Sequence, residues 1–300
     1  MFTENIKLLL QKALPERLAK AIIRTWRRTL LPAVTKLNQL RVRNFVKEQL
    51  VELTHESLKF KLYINPNNGG VDNFIFLHGI YEKPLLTRLK KELRSGDTFV
   101  DVGANIGQHS LFAAHVVGET GKVISFEPIE NLYRQFTRSI AANKKEKPWL
   151  NIEPHCLGAG ETSHSAPIFF SRQNMGGSSL VISDGTQGFR QIQIVNLDDF
   201  LGEESQINFI KIDVEGYEYY VLKGLKAIIS QHRPKIIFEY SPGFYKQLGE
   251  THAFEIYDFL SGLNYKIVDL ENLDKIIDHT YIQQLQKDNI GQTNLFAIPT

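Results

Sequence analysis

Asp213 and Glu215 stand two residues apart at the end of the apolar run Phe209-Ile210-Lys211-Ile212. Residues two apart on a strand point the same way, so an extended chain carried on to Glu215 aims both carboxylates at one place. Crowded carboxylates raise one another's pKa, and one of them can then take a proton near neutral pH. The same pair offers hard oxygen ligands to a divalent cation. A third use is local: Glu215 caps the helix that follows while Asp213 braces the turn. The spacing by itself leaves all three open.

A second stretch supplies a place for a ligand. It reads Asp101-Val102-Gly103-Ala104-Asn105-Ile106-Gly107, between an apolar strand, 98–102, and a helical run, 106–117. Glycines at 103 and 107 let the chain turn sharply and let a ligand approach the backbone. The first N–H groups of the helix then face that ligand. A further strand, 122–126, ends in Glu127, 24 residues after Gly103. A carboxylate meets ribose hydroxyls at a spacing of about 20 in nucleotide-binding βαβ units. The third glycine of a dinucleotide fingerprint is missing, and Asp101 would repel a pyrophosphate while attracting a cationic amino-acid group. A ligand with a ribose, an ammonium group and no phosphate describes S-adenosylmethionine. The bland alternative is an ordinary α/β turn followed by an ordinary strand-end acid.

The elements that must position these residues alternate. Strands are expected at 58–64, 98–102, 122–126, 151–156, 209–213, 235–239, 265–269 and 294–298, with helices at 83–93, 106–117, 129–143, 217–225 and 254–260. Such alternation implies parallel βαβ units. The last two strands show no helical crossover between them, so an antiparallel pair at the sheet edge is expected. Leu132, Phe136 and Ile140 stripe one helix face and belong to the core. The segment 157–160 reads as a turn. Two more strands, 166–170 and 191–195, flank a polar Gly/Ser loop, 174–179, which is either a lid over a ligand or a solvated connector. Ligands of open α/β sheets bind outside the carboxyl ends of the strands. Asp101, Glu127, Asp213 and Glu239 all fall at such ends. His109, at the start of the helix after the glycine turn, is either structural or a ligand contact.

Composition narrows the classes. The chain has 300 residues, 42% hydrophobic and 11% aromatic, enough for a sizeable core. Its one cysteine, Cys156, excludes an internal disulfide and a cysteine-built metal site. No apolar run reaches the roughly 18 residues of a membrane span, and Leu8-Leu9-Leu10 is too short for a secretory signal. The net charge of +2 hides an asymmetry: residues 1–50 carry eleven Lys/Arg and three Asp/Glu, and the remainder is acidic. Two helices, 4–14 and 16–30, and a third from 36 to about 51 are expected there. Leu18, Ile22, Trp26 and Leu30 make an apolar stripe on the second, set among arginines and lysines. That pattern fits a cap on the core, a peripheral contact of residues 1–31 with anionic lipid, or a transit segment. A cytoplasmic protein, with or without that membrane contact, is expected. The acidic body has no dense basic and aromatic groove, so no nucleic-acid partner is expected.

Taken together, these residues resemble the FkbM family of S-adenosylmethionine-dependent methyltransferases. The matching pieces are Gly79-Ile80-Tyr81-Glu82, Asp101 to Gly107, Phe126-Glu127-Pro128, Leu197-Asp198-Asp199-Phe200, Ile210 to Glu218, Phe238-Glu239 and Asn294-Leu295-Phe296. The resemblance spans about residues 75 to 298. It implies an α/β class I methyltransferase fold, a Rossmann-like seven-stranded, mostly parallel sheet with helices on both faces. A basic, mostly helical extension at 1–75 would precede a methyltransferase domain at 76–300. It implies methyl transfer to a hydroxyl of a small molecule: a sugar, a glycolipid or a polyketide-like metabolite. By position, Asp101, Gly103, Asn105 and Gly107 would cradle the methionine part of S-adenosylmethionine. Glu127 would bind ribose, and Leu157 and Gly158 would flank adenine. Asp213 and Glu215 would be the catalytic pair, and no metal ligand is assigned. The rivals are an NAD-dependent nucleotide-sugar dehydrogenase and a binding module without chemistry.

Overall fold

Short apolar runs closed by turn residues become strands buried on both faces when helices cover a parallel sheet on each side. The computed structural model describes residues 48–171, 174–179, 188–241, 245, 252–287 and 292–300. Its contacts divide the chain between Lys47 and Glu48, and the unit described is Glu48–Thr300. The expected helices at 4–14 and 16–30, and the basic apolar stripe on the second, lie outside the described residues.

In chain order the strands are β1 (Gln49–His55), β2 (Leu58–Ile64), β3 (Thr98–Val102), β4 (Lys122–Phe126), β5 (Ile152–His155), β6 (Gly158–Gly160), β7 (His164–Ser171), β8 (Asn174–Ser179), β9 (Gly188–Asn196), β10 (Phe209–Ile212), β11 (Lys235–Tyr240), β12 (Tyr265–Asp269) and β13 (Thr293–Pro299). The α-helices are α1 (Gly70–His78), α2 (Lys83–Glu92), α3 (Gln108–Val117), α4 (Glu130–Lys144), α5 (Leu197–Leu201), α6 (Glu218–Lys223), α7 (Lys226–His232), α8 (His252–Gly262) and α9 (His279–Lys287).

The main sheet has seven strands in the order β12-β13-β11-β10-β3-β4-β5. From β11 through β5 the pairs are parallel, and β13 runs antiparallel to both β11 and β12. Alternation along each strand splits the core in two. Phe99, Phe209, Ile237 and Phe296 pack with α1 to α4. Val100, Val102, Ile210, Ile212 and Phe238 pack with α5 to α9. This is the class I methyltransferase arrangement, with helices on both faces. The antiparallel edge pair is present, but α9 lies between its strands, where no helix was read.

Three further readings change. Of the helix expected from 36 to about 51, residues 36–47 lie outside the described residues, and 49–51 belong to the first strand of a β1–β2 hairpin. Its turn holds Glu56 and Ser57 at φ 44° and 70°, the left-handed pair that a two-residue hairpin needs, without the Asn-Gly signature that would have announced it. Gly158–Gly160, within the segment read as a turn, and the Gly/Ser loop 174–179 are strands of a small second sheet, ordered β6-β9-β7-β8.

The hairpin is tied to the domain by polar groups. β2 has one free edge, and α4 closes it. Asn143 Oδ1 accepts from Lys61 N at 2.8 Å while its Nδ2 donates to Lys61 O at 2.6 Å. Ser139 Oγ accepts from Tyr63 N at 2.9 Å, and Gln135 Nε2 donates to Tyr63 O at 2.8 Å. Gln135, Ser139 and Asn143 are spaced by four, one helix face, and all three are buried. A helix here does what a neighbouring strand would do for an unpaired edge.

Candidate functional site

The turn after β3 is built by close approach. Gly103, at φ 81°, has no room for a side chain: a Cβ there would lie 1.8 Å from the Asp213 carbonyl oxygen. Gly107, at φ 86°, would drive a Cβ to 1.9 Å from the Phe136 ring. Both glycines were read as openings for a ligand. Their missing Cβ atoms also admit the β10 turn and α4. Gly103 lines the central cavity, and Gly107 is not among its lining residues.

The sequence reading put Asp101 in the cradle of the methionine part. It is fully buried and does not line the cavity. In register on β10 lies Lys211, 1% exposed. Lys211 Nζ sits 3.2 Å from Asp101 Oδ1, donates to Gly103 O at 3.0 Å, and is 3.4 Å from Asp213 Oδ2. Ser110 Oγ donates to Asp101 Oδ2 at 2.5 Å. The Asp101 carboxylate is thus paired with a lysine under the turn. Burial alone would lower the Lys211 pKa, but Asp101, Asp213 and Glu82 outweigh it and hold it well above the usual lysine range.

Glu127, at the end of β4, is buried and lines the cavity. Its two oxygens accept from Asn105 N and Ile129 N, each at 2.8 Å. Asn105 adopts φ 53° to make that bond, and its own Oδ1 accepts from Ile106 N. Burial pushes Glu127 up to about 7 against the pull of those two N–H groups.

The β10–α6 turn brings the catalytic candidates together by another route than extension. β10 ends at Ile212, and Glu215 turns back at φ 52°. The local brace is Glu218, whose Oε1 accepts from Val214 N and Gly216 N at 3.1 Å and whose Oε2 accepts from Tyr245 OH at 3.1 Å. Asp213 and Glu215 therefore both line the cavity, joined by Glu239 from β11. Burial first, then Asp213, raises Glu215 to about 8, and the same causes carry Glu239 well above the usual carboxylate range.

Several groups here were not assigned a role from sequence. Gln108 grips Tyr81 through both backbone groups: its Oε1 accepts from Tyr81 N at 2.9 Å and its Nε2 donates to Tyr81 O at 2.8 Å. That clamp holds Tyr81 on the cavity wall beside Phe74. Glu82 follows, fixed by Asn294 Nδ2 at 2.7 Å and raised to about 7 by burial and then by Asp213. His109 also lines the cavity, and burial holds it down at about 3. Gly79-Ile80-Tyr81-Glu82 was legible as a motif. That it folds against the glycine turn was not.

These walls enclose about 330 Å³, within the range of small-molecule sites. Among the predicted residues Gly103, Asn105, Glu127, Leu157, Gly158, Asp213 and Glu215 line it. Leu132, Ile168 and Ile192 add apolar lining, the last two from the small sheet.

The acids fix a pH response. Glu82, Glu127 and Glu218 stand at about 7 and Glu215 at about 8, all above their ordinary 4.5, with burial the first cause. The folded state therefore keeps protons that the unfolded chain has already released, and stability falls as pH rises through this window. His109, His115 and His155, which burial lowers, work the other way near the ordinary histidine value of about 6.5, but the four raised acids outweigh them. Ligand-free protein is expected to melt lower at pH 8.5 than at pH 6.5 at constant ionic strength. A flat or rising melting temperature would show that the acids are not held as described.

A family model described as the Methyltransferase FkbM domain matches residues 101–267. Methyltransferase 1 of Beauveria bassiana is 28% identical over 151 residues, covering 43% of this chain and 59% of that protein. Hexuronic acid methyltransferase AglP of Haloferax volcanii is 30% identical over 146 residues, covering 48% of this chain and 56% of that protein. The matches thus span less than two thirds of these relatives. A solved structure of methyltransferase FkbM from Methylobacillus flagellatus superimposes on 68% of this chain and 44% of its own, at 21% identity and a TM-score of 0.46.

Proposed function

This chain belongs to the FkbM methyltransferase family, and from that premise we propose that it moves a methyl group from S-adenosylmethionine to a hydroxyl oxygen of a sugar, glycolipid or polyketide-like metabolite. One observation carries the reading: a single cavity is lined both by Glu127, the strand-end acid suited to a ribose, and by the Asp213 and Glu215 pair. Ribose hydroxyls donate to the Glu127 carboxylate. Gly103 and Asn105 shape the floor under the methionine part, and Asp101 acts on that floor only through Lys211. Leu157 and Gly158, with the apolar side chains beside them, suit the adenine.

The acceptor oxygen attacks the methyl carbon in line with the carbon–sulfur bond. The new carbon–oxygen bond uses an oxygen lone pair, and the electrons of the broken bond stay on sulfur as a neutral thioether. The hydroxyl proton passes to a carboxylate of the Asp213 and Glu215 pair. Alignment supplies much of the rate, and the base supplies the rest because an alcohol is a poor nucleophile at pH 7.

The experiment is calorimetric titration of the purified chain with S-adenosylmethionine and, in parallel, NAD. Saturable binding of S-adenosylmethionine without NAD is expected. Binding of NAD, or of neither, would overturn the assignment. Uronic acid sugars are the first acceptors to screen, because the relative AglP is named as a hexuronic acid methyltransferase.

A further inference from the structure

We propose that Phe74 and Tyr81 select the acceptor: they form an aromatic corner against which the C–H face of a sugar ring packs. The inference rests on the reading of this cavity as a site for a hydroxyl acceptor and narrows that acceptor to a pyranose. Among the described residues, four phenylalanine and tyrosine side chains line the cavity, and two of them are occupied within the protein. Phe126 is fully buried, stacked on His155 at 5.3 Å and met edge-on by Phe200. Tyr217 stacks on Tyr220 at 4.6 Å and packs over Gly160. Phe74, from α1, is 39% exposed while it lines the cavity, so part of its ring is open to a ligand. Tyr81 meets it edge to face, with centroids 5.3 Å apart and planes at 76°.

Tyr81 is fixed from three sides. The buried Gln108 gives both its amide groups to the Tyr81 backbone. Ile80, before it, is anchored in the core. Glu82, after it, sits at φ 46°, a left-handed conformation that a non-glycine residue adopts at a cost. Strain held in this way points to a position whose geometry is used. The side chain so placed stands near the reacting groups. Burial raises the Tyr81 hydroxyl above the ordinary tyrosine range, and the charges of Glu82, Asp213 and Glu239 raise it further. The corner therefore lies beside the carboxylates that take the proton, rather than at the adenine end with Leu157 and Gly158.

The chemistry of the corner suits a sugar. An aromatic face carries the negative side of the ring quadrupole, and the C–H bonds of a sugar ring carry slight positive charge, so the two attract beyond the area they bury. The hydroxyls around a pyranose rim need hydrogen-bonding groups of their own, which carboxylates and amides supply. Asp213, Glu239 and Gln292 line the same cavity. Two rings near a right angle make a corner that fits a thick saturated ring. A flat polyketide-like ring is better held in an offset stack, and the 76° between Phe74 and Tyr81 leaves no parallel slot for it between them.

The test is saturation-transfer NMR on the full chain with S-adenosylmethionine present: the protein's aromatic protons are irradiated and the signal reaching sugar protons is read. The probes are the methyl pyranosides of glucose, galactose, mannose and glucuronic acid. Transfer to the ring protons of at least one is expected, stronger than to its O-methyl group. Phe74→Leu and Tyr81→Leu should each weaken binding of that sugar by about 3- to 10-fold, the worth of one aromatic contact. Tyr81→Phe keeps the ring and should retain binding. Phe189→Leu, at a 61% exposed position on β9 outside the cavity lining, should change nothing. No transfer to any of these sugars, or equal transfer in wild type and both leucine variants, would overturn the proposal. So would a parallel loss of S-adenosylmethionine affinity in Phe74→Leu, because the corner would then serve the cofactor. Calorimetry with S-adenosylmethionine on the same samples separates the readings. Cofactor binding without sugar contact removes the corner alone, and sugar contact without cofactor binding removes the methyl-transfer reading and leaves a sugar site.

Discussion

Asp213→Asn is expected to lower methyl transfer by about 10²- to 10⁴-fold, the usual contribution of a positioned base, while S-adenosylmethionine still binds. Asparagine keeps the shape of the side chain and removes its charge. The turn itself does not depend on that charge. The atom packed against Gly103 is the Asp213 backbone carbonyl, and Asp213 N donates to Val102 O at 3.0 Å whatever the side chain. Lys211 keeps Asp101 and the Gly103 carbonyl as partners. Glu127, the ribose candidate, stands on its own pair of N–H groups. Cofactor affinity from calorimetry and turnover from product formation should therefore separate. Turnover within a few-fold of wild type would end the assignment of Asp213. Parallel collapse of cofactor binding would show instead that the aspartate organises the turn.

Lys211→Met should cost about 3 to 5 kcal/mol of folding stability, the range seen when one partner of a buried ion pair is removed. Methionine matches the length of the lysine stem, so packing loss is small. What remains is a carboxylate, Asp101, buried in the sheet with Ser110 as a neutral donor. The Gly103 carbonyl also loses its donor. For a unit of this size each kcal/mol moves the melting temperature by roughly 2 to 4 °C, so a drop on the order of 10 °C is expected by thermal denaturation. Adding Asp101→Asn to Lys211→Met should recover part of it, because the stranded charge is then gone. If the double variant is no more stable than Lys211→Met, the lysine acts through its volume and the electrostatic account fails.

The two positions differ in how legible they were. Asp213 announces itself: it follows an apolar strand, precedes a glycine turn, and sits where open α/β sheets bind ligands. Lys211 reads as an oddity inside that same strand. Its meaning needs the strand order, because only the pairing of β10 with β3 places it opposite Asp101. Asp101 is ambiguous for the same reason. As a lone acid before a glycine it invites a ligand, and as a residue paired across two strands it is internal.

The seven-stranded sheet came only from the family resemblance, whereas most of the strand and helix succession and the strand-end places of Glu127, Asp213 and Glu215 were legible in the residues themselves. Those are local properties: apolar period, glycine at forced turns, and acids at strand ends all act within a few residues. The tertiary structure decided what joins them. It folded Tyr81 and Glu82 onto the glycine turn through Gln108, gave the β2 edge to Gln135, Ser139 and Asn143, and set Glu239 beside Asp213. It also spent the freedom of Gly103 and Gly107 on packing. These contacts join residues far apart in the chain, and burial gives each polar group its partner and its pKa. No spacing rule carries that information, because burial and pairing exist only once the sheet has brought the segments together.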